Sequence, residues 1–138
     1  MATFNKFHCF VEDLSEGVHN LGTNTLKVIL SNTVPVAGNT VYTDITEIAN
    51  GGGYTTGGSA LTLTSSNQSG GLYKLIVQDL VFTASTGFGP FRYVVIYNDT
   101  SGTDALIGWY DVGTSVTLGA AQTFTCDFDA TNGILTLV

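Results

Sequence analysis

Residues 81–113 read VFTASTGFGPFRYVVIYNDTSGTDALIGWYDVG. This stretch holds the longest apolar run of the chain and its single Trp. It reads as three strands joined by two polar turns. The turn STGFGP separates the first two, and DTSGTD marks a hairpin between Phe91–Asn98 and Ala105–Val112. Strict alternation puts Phe91, Tyr93, Val95 and Tyr97 on one face and Arg92, Val94 and Ile96 on the other. Both faces are largely apolar, as expected of a strand central in a sheet or covered on both sides. Tyr93, Val95 and Tyr97, with Trp109 across the hairpin, are predicted to be the packing heart. Val94, Ile96 and Leu106 then present a second apolar face, buried by another sheet or by another subunit. Gly108 beside Trp109 predicts a close approach or a twist point.

The segments outside this hairpin repeat its pattern. Thr25–Ser31, TLKVILS, alternates Leu26, Val28 and Leu30 with Lys27 and Ile29. Ser59–Ser66, SALTLTSS, reads as a half-buried strand. Leu72–Ala84, LYKLIVQDLVFTA, is long for one strand and predicts a bulge near Gln78–Leu80. SVTL, QTFTCDF and GILTL close the chain with short strands. Val41–Ala49, VYTDITEIA, is the one place read as a short helical turn, capped by Thr43 or Asp44. The expectation is an all-β chain: an antiparallel β-sandwich, jelly-roll-like, with about eight strands and at most one short helical turn.

The first twenty residues are ambiguous. Phe4, Phe7 and Phe10 recur every three residues, which suits a helical face. As a strand, neither side would be cleanly apolar. The aromatic content favours an extended N-terminal arm or edge strand over residues 1–20, followed by a single sandwich domain over 21–138. The N-terminus MATFNKFHCFVEDL carries charges and lacks an apolar stretch of signal-peptide length, which predicts synthesis and folding in a cytoplasm. No run approaches the ~20 apolar residues of a membrane span.

Composition narrows the function classes. The 138 residues are 43% hydrophobic and only 11% charged, with a net charge of −7. The four basic residues, Lys6, Lys27, Lys74 and Arg92, are scattered. They form no stripe that could follow a phosphate backbone, so no nucleic-acid partner is expected. Low charge on a small domain points to self-assembly or docking. Cys9 and Cys126 could tie the first strand to the last, but two reduced, buried thiols are favoured.

No catalytic set emerges. His8 and His19 lie near the N-terminus, with no GxSxG, and neither sits at metal-ligand spacing. NGGGYTTGG, residues 50–58, lacks the GK[ST] ending of a phosphate loop. Tyr54 within it is read as an anchor for the loop or as a contact residue. DFDATNG, residues 127–133, echoes a Ca²⁺ loop but has no closing Glu, and reads as a polar strand edge with an Asn-Gly turn. No enzyme activity, metal or cofactor is expected. The aromatics remain as the possible binding feature.

The words NLGTNTLKVILSNTVP, ITEIANGGGYTTGG, FGPFRYVVIYNDT, LIGWYD and TFTCDFDATNGILTL, in that order, cover most of the chain. In this ordering it resembles small structural proteins encoded by tailed bacteriophages. The resemblance implies a virion component, foremost a capsid cement or decoration protein. Such a protein binds the major capsid protein on the outer head surface as a dimer or trimer and needs no cofactor. Phe4, Phe7, Phe10, Tyr54, Phe88, Val94 and Ile96 are then the expected oligomer or capsid interface. The alternative is a tail or fibre module binding a host-surface glycan, with Trp109 and Tyr110 as an aromatic platform.

Overall fold

A computed structural model describes residues 2–138. Ten strands are arranged in three antiparallel sheets. In chain order the elements are β1 (Phe4–Lys6), the helix α1 (His8–Ser15), β2 (Leu26–Ser31), a single 3-10 turn (Tyr42–Asp44), β3 (Ser59–Ala60), β4 (Leu63–Ser69), β5 (Leu72–Val77), β6 (Leu80–Thr83), β7 (Gly87–Asn98), β8 (Leu106–Gly119), β9 (Thr123–Cys126) and β10 (Leu135–Leu137). The main sheet runs β1-β8-β7-β2-β3. A three-stranded sheet, β10-β5-β4, and a two-stranded ribbon, β6-β9, supply the other layer. The result is an antiparallel β-sandwich, as the alternation predicted, with more strands than the expected eight.

The main core lies between these layers. Leu26, Val28 and Leu30 from β2 meet Val94 and Ile96 from β7 and Ile107 and Tyr110 from β8. Leu75, Val77 and Leu135 close over them from the small sheet, with Phe82 and Cys126 from the ribbon. A second apolar cluster covers the opposite face of the main sheet. It joins Ile29, Tyr93, Val95, Tyr97 and Leu106 to Phe7 and Ile45, with Trp109, Tyr42 and Cys9 packed alongside. Both faces of the central hairpin are therefore buried by this chain itself. The second face needs no partner subunit.

Two irregularities decide which side chain enters which cluster. The β7–β8 register shifts between Phe91 and Tyr93, so Phe91 joins the main core although Tyr93 joins the second cluster. It shifts again where Ile96 faces Gly108 and Tyr97 faces Leu106, leaving Ile107 as the extra residue of a bulge. Each bulge inverts the alternation beyond it. Strict alternation therefore misassigned Phe91 to the face of Tyr93 and grouped Leu106 with Val94 and Ile96.

The N-terminal segment departs most from expectation. Residues 4–6 do form an edge strand of the main sheet, paired with β8 and one of the two expected alternatives, but the segment is not a free arm and continues into a two-turn helix over residues 8–15. The three phenylalanines do not form the helical face their spacing suggested: Phe4 lies in β1, Phe7 is the extended residue before the helix, and only Phe10 is helical. Phe7 lies at the junction, wholly buried on the outer face, while Phe10 turns into the main core. The segment thus straddles the edge of the main sheet. Phe4 crosses Gly108 so closely that a Cβ there would lie 2.3 Å from its ring, the close approach the sequence suggested.

The long apolar run 72–84 breaks where the bulge was expected, at Gln78-Asp79. The chain changes sheets there instead of bulging. Asp79 Oδ1 accepts the Phe128 N–H at 2.9 Å, which holds the crossing. Residues 106–118, read as parts of two strands, are continuous in β8, and β7 begins within the expected STGFGP turn.

Candidate functional site

The most elaborate polar cluster gathers around Glu47. Its carboxylate accepts the Tyr42 hydroxyl on one oxygen. The other oxygen accepts the Tyr54 hydroxyl at 2.5 Å and the Gly57 N–H at 2.8 Å. Tyr54 Oη in turn accepts the Leu30 N–H at 3.2 Å, and Tyr97 Oη donates to the Gly57 carbonyl at 2.7 Å. Burial raises the Tyr42 hydroxyl to about 12, with its hydrogen bond to Glu47 adding to the rise. Tyr54 and Tyr97 are pushed further up, first of all by burial. These phenols stay protonated and act as donors. The cluster pins the glycine-rich loop 50–58 to β2, so Tyr54 is the anchor the sequence suggested. At the neighbouring 3-10 turn, Asp44 Oδ2 accepts the N–H groups of Thr40 and Val41 at 2.9 and 3.2 Å. Asp44 thus caps the turn from its third position, reaching back to the N-cap residue Val41, and is not itself the N-cap that was anticipated.

The residues expected to form an oligomer or capsid interface lie elsewhere than expected. Phe7, Phe10, Tyr54, Phe88, Val94 and Ile96 are all buried within the chain. Phe7 packs on Trp109 with ring centroids 4.6 Å apart, and Phe10 on His19 at 5.3 Å. Phe88 sits between Tyr54 and Phe91. Phe4 is half-buried against Tyr110. These side chains build the fold and present almost no surface. The expected glycan platform is corrected in the same way. Trp109 is half-buried under Phe7, and Tyr110 is buried between Phe4 and Phe128. A stacking platform needs an open ring face, which the buried Tyr110 does not offer and which Phe7 restricts on Trp109.

The apolar surface belongs to residues that sequence reasoning passed over. Val34 and Val36 are 59% and 62% exposed on the loop after β2, flanking the buried Pro35. Val11 on α1 is 50% exposed. The His8 N–H donates to the Ala37 carbonyl at 2.9 Å, which ties the start of α1 to this loop. Val81, Leu63 and Leu137 are also exposed. The signal for the first group was the apolar TVPVA within a breaker segment, where a loop is ordinarily polar.

Two of the recesses bear on the candidate residues. The larger, about 540 Å³, is lined by Leu14, Leu21, Tyr73 and Leu137 with His19, Ser66 and three further loop residues. The smaller, about 330 Å³, lies where β1 and β8 meet the 127–134 segment. Asp127 and Asp129 line it. Asp129 Oδ1 accepts the N–H groups of Thr131 and Asn132, both at 2.8 Å, which closes the turn expected for DATNG. These backbone hydrogen bonds hold its carboxyl below the ordinary carboxylate range. Among the described residues, no three His, Cys, Asp or Glu side chains gather as a metal site. Cys9 and Cys126 are both free thiols, and Cys126 is completely buried.

Neither a family model, a curated protein nor a solved structure matches this chain.

Proposed function

We propose that this chain is a non-enzymatic structural protein of a tailed-bacteriophage virion, a capsid cement or decoration protein. It docks on the major capsid protein of the head and stabilises the shell as an oligomer. The resemblance of its ordered sequence words motivates the reading. The observation that carries it is the loop after β2, where Val34 and Val36 stand open to solvent beside Pro35. A monomer gains nothing by exposing two valines on a loop held down at both ends. Hydrogen bonds from the Thr33 N–H to Ser31 Oγ, from the Val36 N–H to Asn39 Oδ1 and from the His8 N–H to the Ala37 carbonyl hold this loop, which lowers the ordering cost of a contact on it. The expected contact surface therefore moves from the N-terminal phenylalanines to Val34, Val36 and Val11.

The test is addition of the purified chain to phage heads that lack it, with sedimentation of the heads. Saturable binding at a fixed number of copies per capsomer, and rupture of the decorated heads at a higher temperature, are the expected results. Val34→Ser with Val36→Ser should weaken binding while leaving the fold intact. Heads that bind no protein, or rupture at an unchanged temperature when saturated, refute the assignment.

A further inference from the structure

The larger recess, between α1, the loop after it and the three-stranded sheet, holds a polar group that the fold leaves unpaired. His19 lines it and is only 5% exposed. Asn98 Oδ1 accepts the N–H groups of Thr100 and Ser101, at 3.0 and 3.2 Å, so the Asn98 amide nitrogen is the atom that faces His19 Nδ1, at 3.0 Å. Nδ1 therefore accepts, and Nε2 carries the ring proton. Burial lowers the His19 pKa, which keeps the ring neutral. The Nε2–H is shielded from water and has no partner among the described residues. A shielded donor without an acceptor is costly and rare in a folded chain.

The neighbours of the ring fix the direction of this N–H. The two nitrogens of an imidazole point to opposite sides of the ring. Asn98 takes the Nδ1 side, and Phe10 packs on the ring with centroids 5.3 Å apart. Neither Asn98 nor Phe10 lines the recess, so the Nε2 edge is the part of the ring turned towards it. Gly17 and Gly22, on either side of His19 in the chain, line the recess without side chains, so a small shift of this wall opens Nε2 to a ligand. The remaining lining is mainly Leu14, Leu21, Tyr73 and Leu137, and no Lys, Arg, Asp or Glu belongs to it.

We infer that this recess binds a small, neutral, largely apolar molecule whose carbonyl oxygen accepts the His19 Nε2–H. Its volume of about 540 Å³ lies in the range of small-molecule pockets, which pair apolar walls with a few placed polar groups. An anion would meet no counter-charge in the lining, in the field of Asp13 and on a chain of net charge −7. An ammonium ion would bring the N–H no acceptor. The inference does not depend on the virion reading.

The test is a titration of the isotope-labelled full chain with acetophenone, ethylbenzene and benzoate, at a pH above the ordinary histidine value of about 6.5. The imidazole resonances of His19 are followed, with those of the exposed His8 as the internal control. The free protein should show the proton of His19 on Nε2. Acetophenone should move that proton downfield saturably and leave His8 unmoved. Ethylbenzene has the same ring and no acceptor. It should bind about tenfold more weakly, the loss of one hydrogen bond, without the downfield shift. Benzoate should also bind more weakly than acetophenone. Leu137→Trp fills the recess from its exposed side, at a residue that is 40% exposed, and should abolish binding with the fold intact. A ring proton on Nδ1, equal affinity for ethylbenzene, tighter binding of benzoate, or acetophenone binding unchanged in Leu137→Trp overturns the inference.

Discussion

Replacing Phe7 by Ala tests whether the N-terminal segment is part of the fold or an appendage to it. Phe7 is completely buried in the cluster on the outer face of the main sheet, among Ile29, Val95, Leu106 and Trp109. A buried phenylalanine removes roughly 150–250 Å² from water, which corresponds to about 4–6 kcal/mol at ~25 cal/mol per Å². That is an upper bound, since the unfolded chain already shields some of its surface. Truncations of buried Phe to Ala cost about 3–5 kcal/mol, so about 4 kcal/mol is expected here, a large part of an ordinary domain's stability. The assay is urea unfolding followed by tryptophan emission. The chain has one Trp, Trp109, and its ring centroid lies 4.6 Å from that of Phe7. The variant should therefore unfold at lower urea, and its native emission should shift to the red as water reaches the indole. Val11→Ala, on the exposed face of α1, serves as the control and should stay within about 0.5 kcal/mol. Deletion of residues 2–12, which also removes Phe4 and Phe10, should leave no cooperative transition. A Phe7→Ala protein within about 1 kcal/mol of the parent, with unchanged native emission, would mean that the segment is a detachable arm and that the outer cluster does not form.

Two further predictions concern buried groups. Asn98 Oδ1 accepts the N–H groups of Thr100 and Ser101 at 3.0 and 3.2 Å, so its amide nitrogen faces His19 Nδ1 at 3.0 Å and Asn24 Oδ1 at 2.9 Å. His19 Nδ1 must then accept, and Nε2 carries the ring proton with no partner. Burial lowers the His19 pKa, opposed only by the field of Asp13. The unfolded chain therefore binds the extra proton first. Stability should be flat above the ordinary histidine value of about 6.5 and fall with decreasing pH below it, by at most ~1.4 kcal/mol per pH unit for one proton. Chemical denaturation between pH 5 and 8 measures this (pH values set by the titration range of histidine). A slope that persists in His19→Gln assigns it to other groups. Burial, reinforced by Asp79, pushes the Cys126 thiol up to about 12. Burial and the nearby Asp13 raise the Cys9 thiol as well, so Ellman's reagent at neutral pH should label the partly exposed Cys9 slowly in the native protein and Cys126 only on unfolding, because the thiolate is the reactive form. Rapid labelling of both thiols in the native state would place Cys126 outside the core.

Local sequence carried a good deal of this protein. Alternation in TLKVILS placed Leu26, Val28 and Leu30 on one face and Ile29 on the other, as found. The polar DTSGTD marked the hairpin between β7 and β8, and Gly108 marked the crossing of Phe4. Tyr54 among glycines was recognisable as an anchor because it is the one large side chain in that loop. These features depend on side-chain period, turn chemistry or the absence of a Cβ, all of which act over a few residues. Tertiary structure decided the rest. Bulges at Phe91–Tyr93 and at Ile107 reversed the facing of the central strands, and a bulge depends on the partner strand, not on the bulged strand alone. The N-terminal helix forms because Phe7 and Phe10 find clusters on opposite faces of one sheet, a choice that eight residues could not settle for themselves. Whether Tyr110 is a platform or the floor of an acidic recess was likewise set by Phe4 and Phe128, which lie far from it in sequence and meet it only once the sandwich has closed.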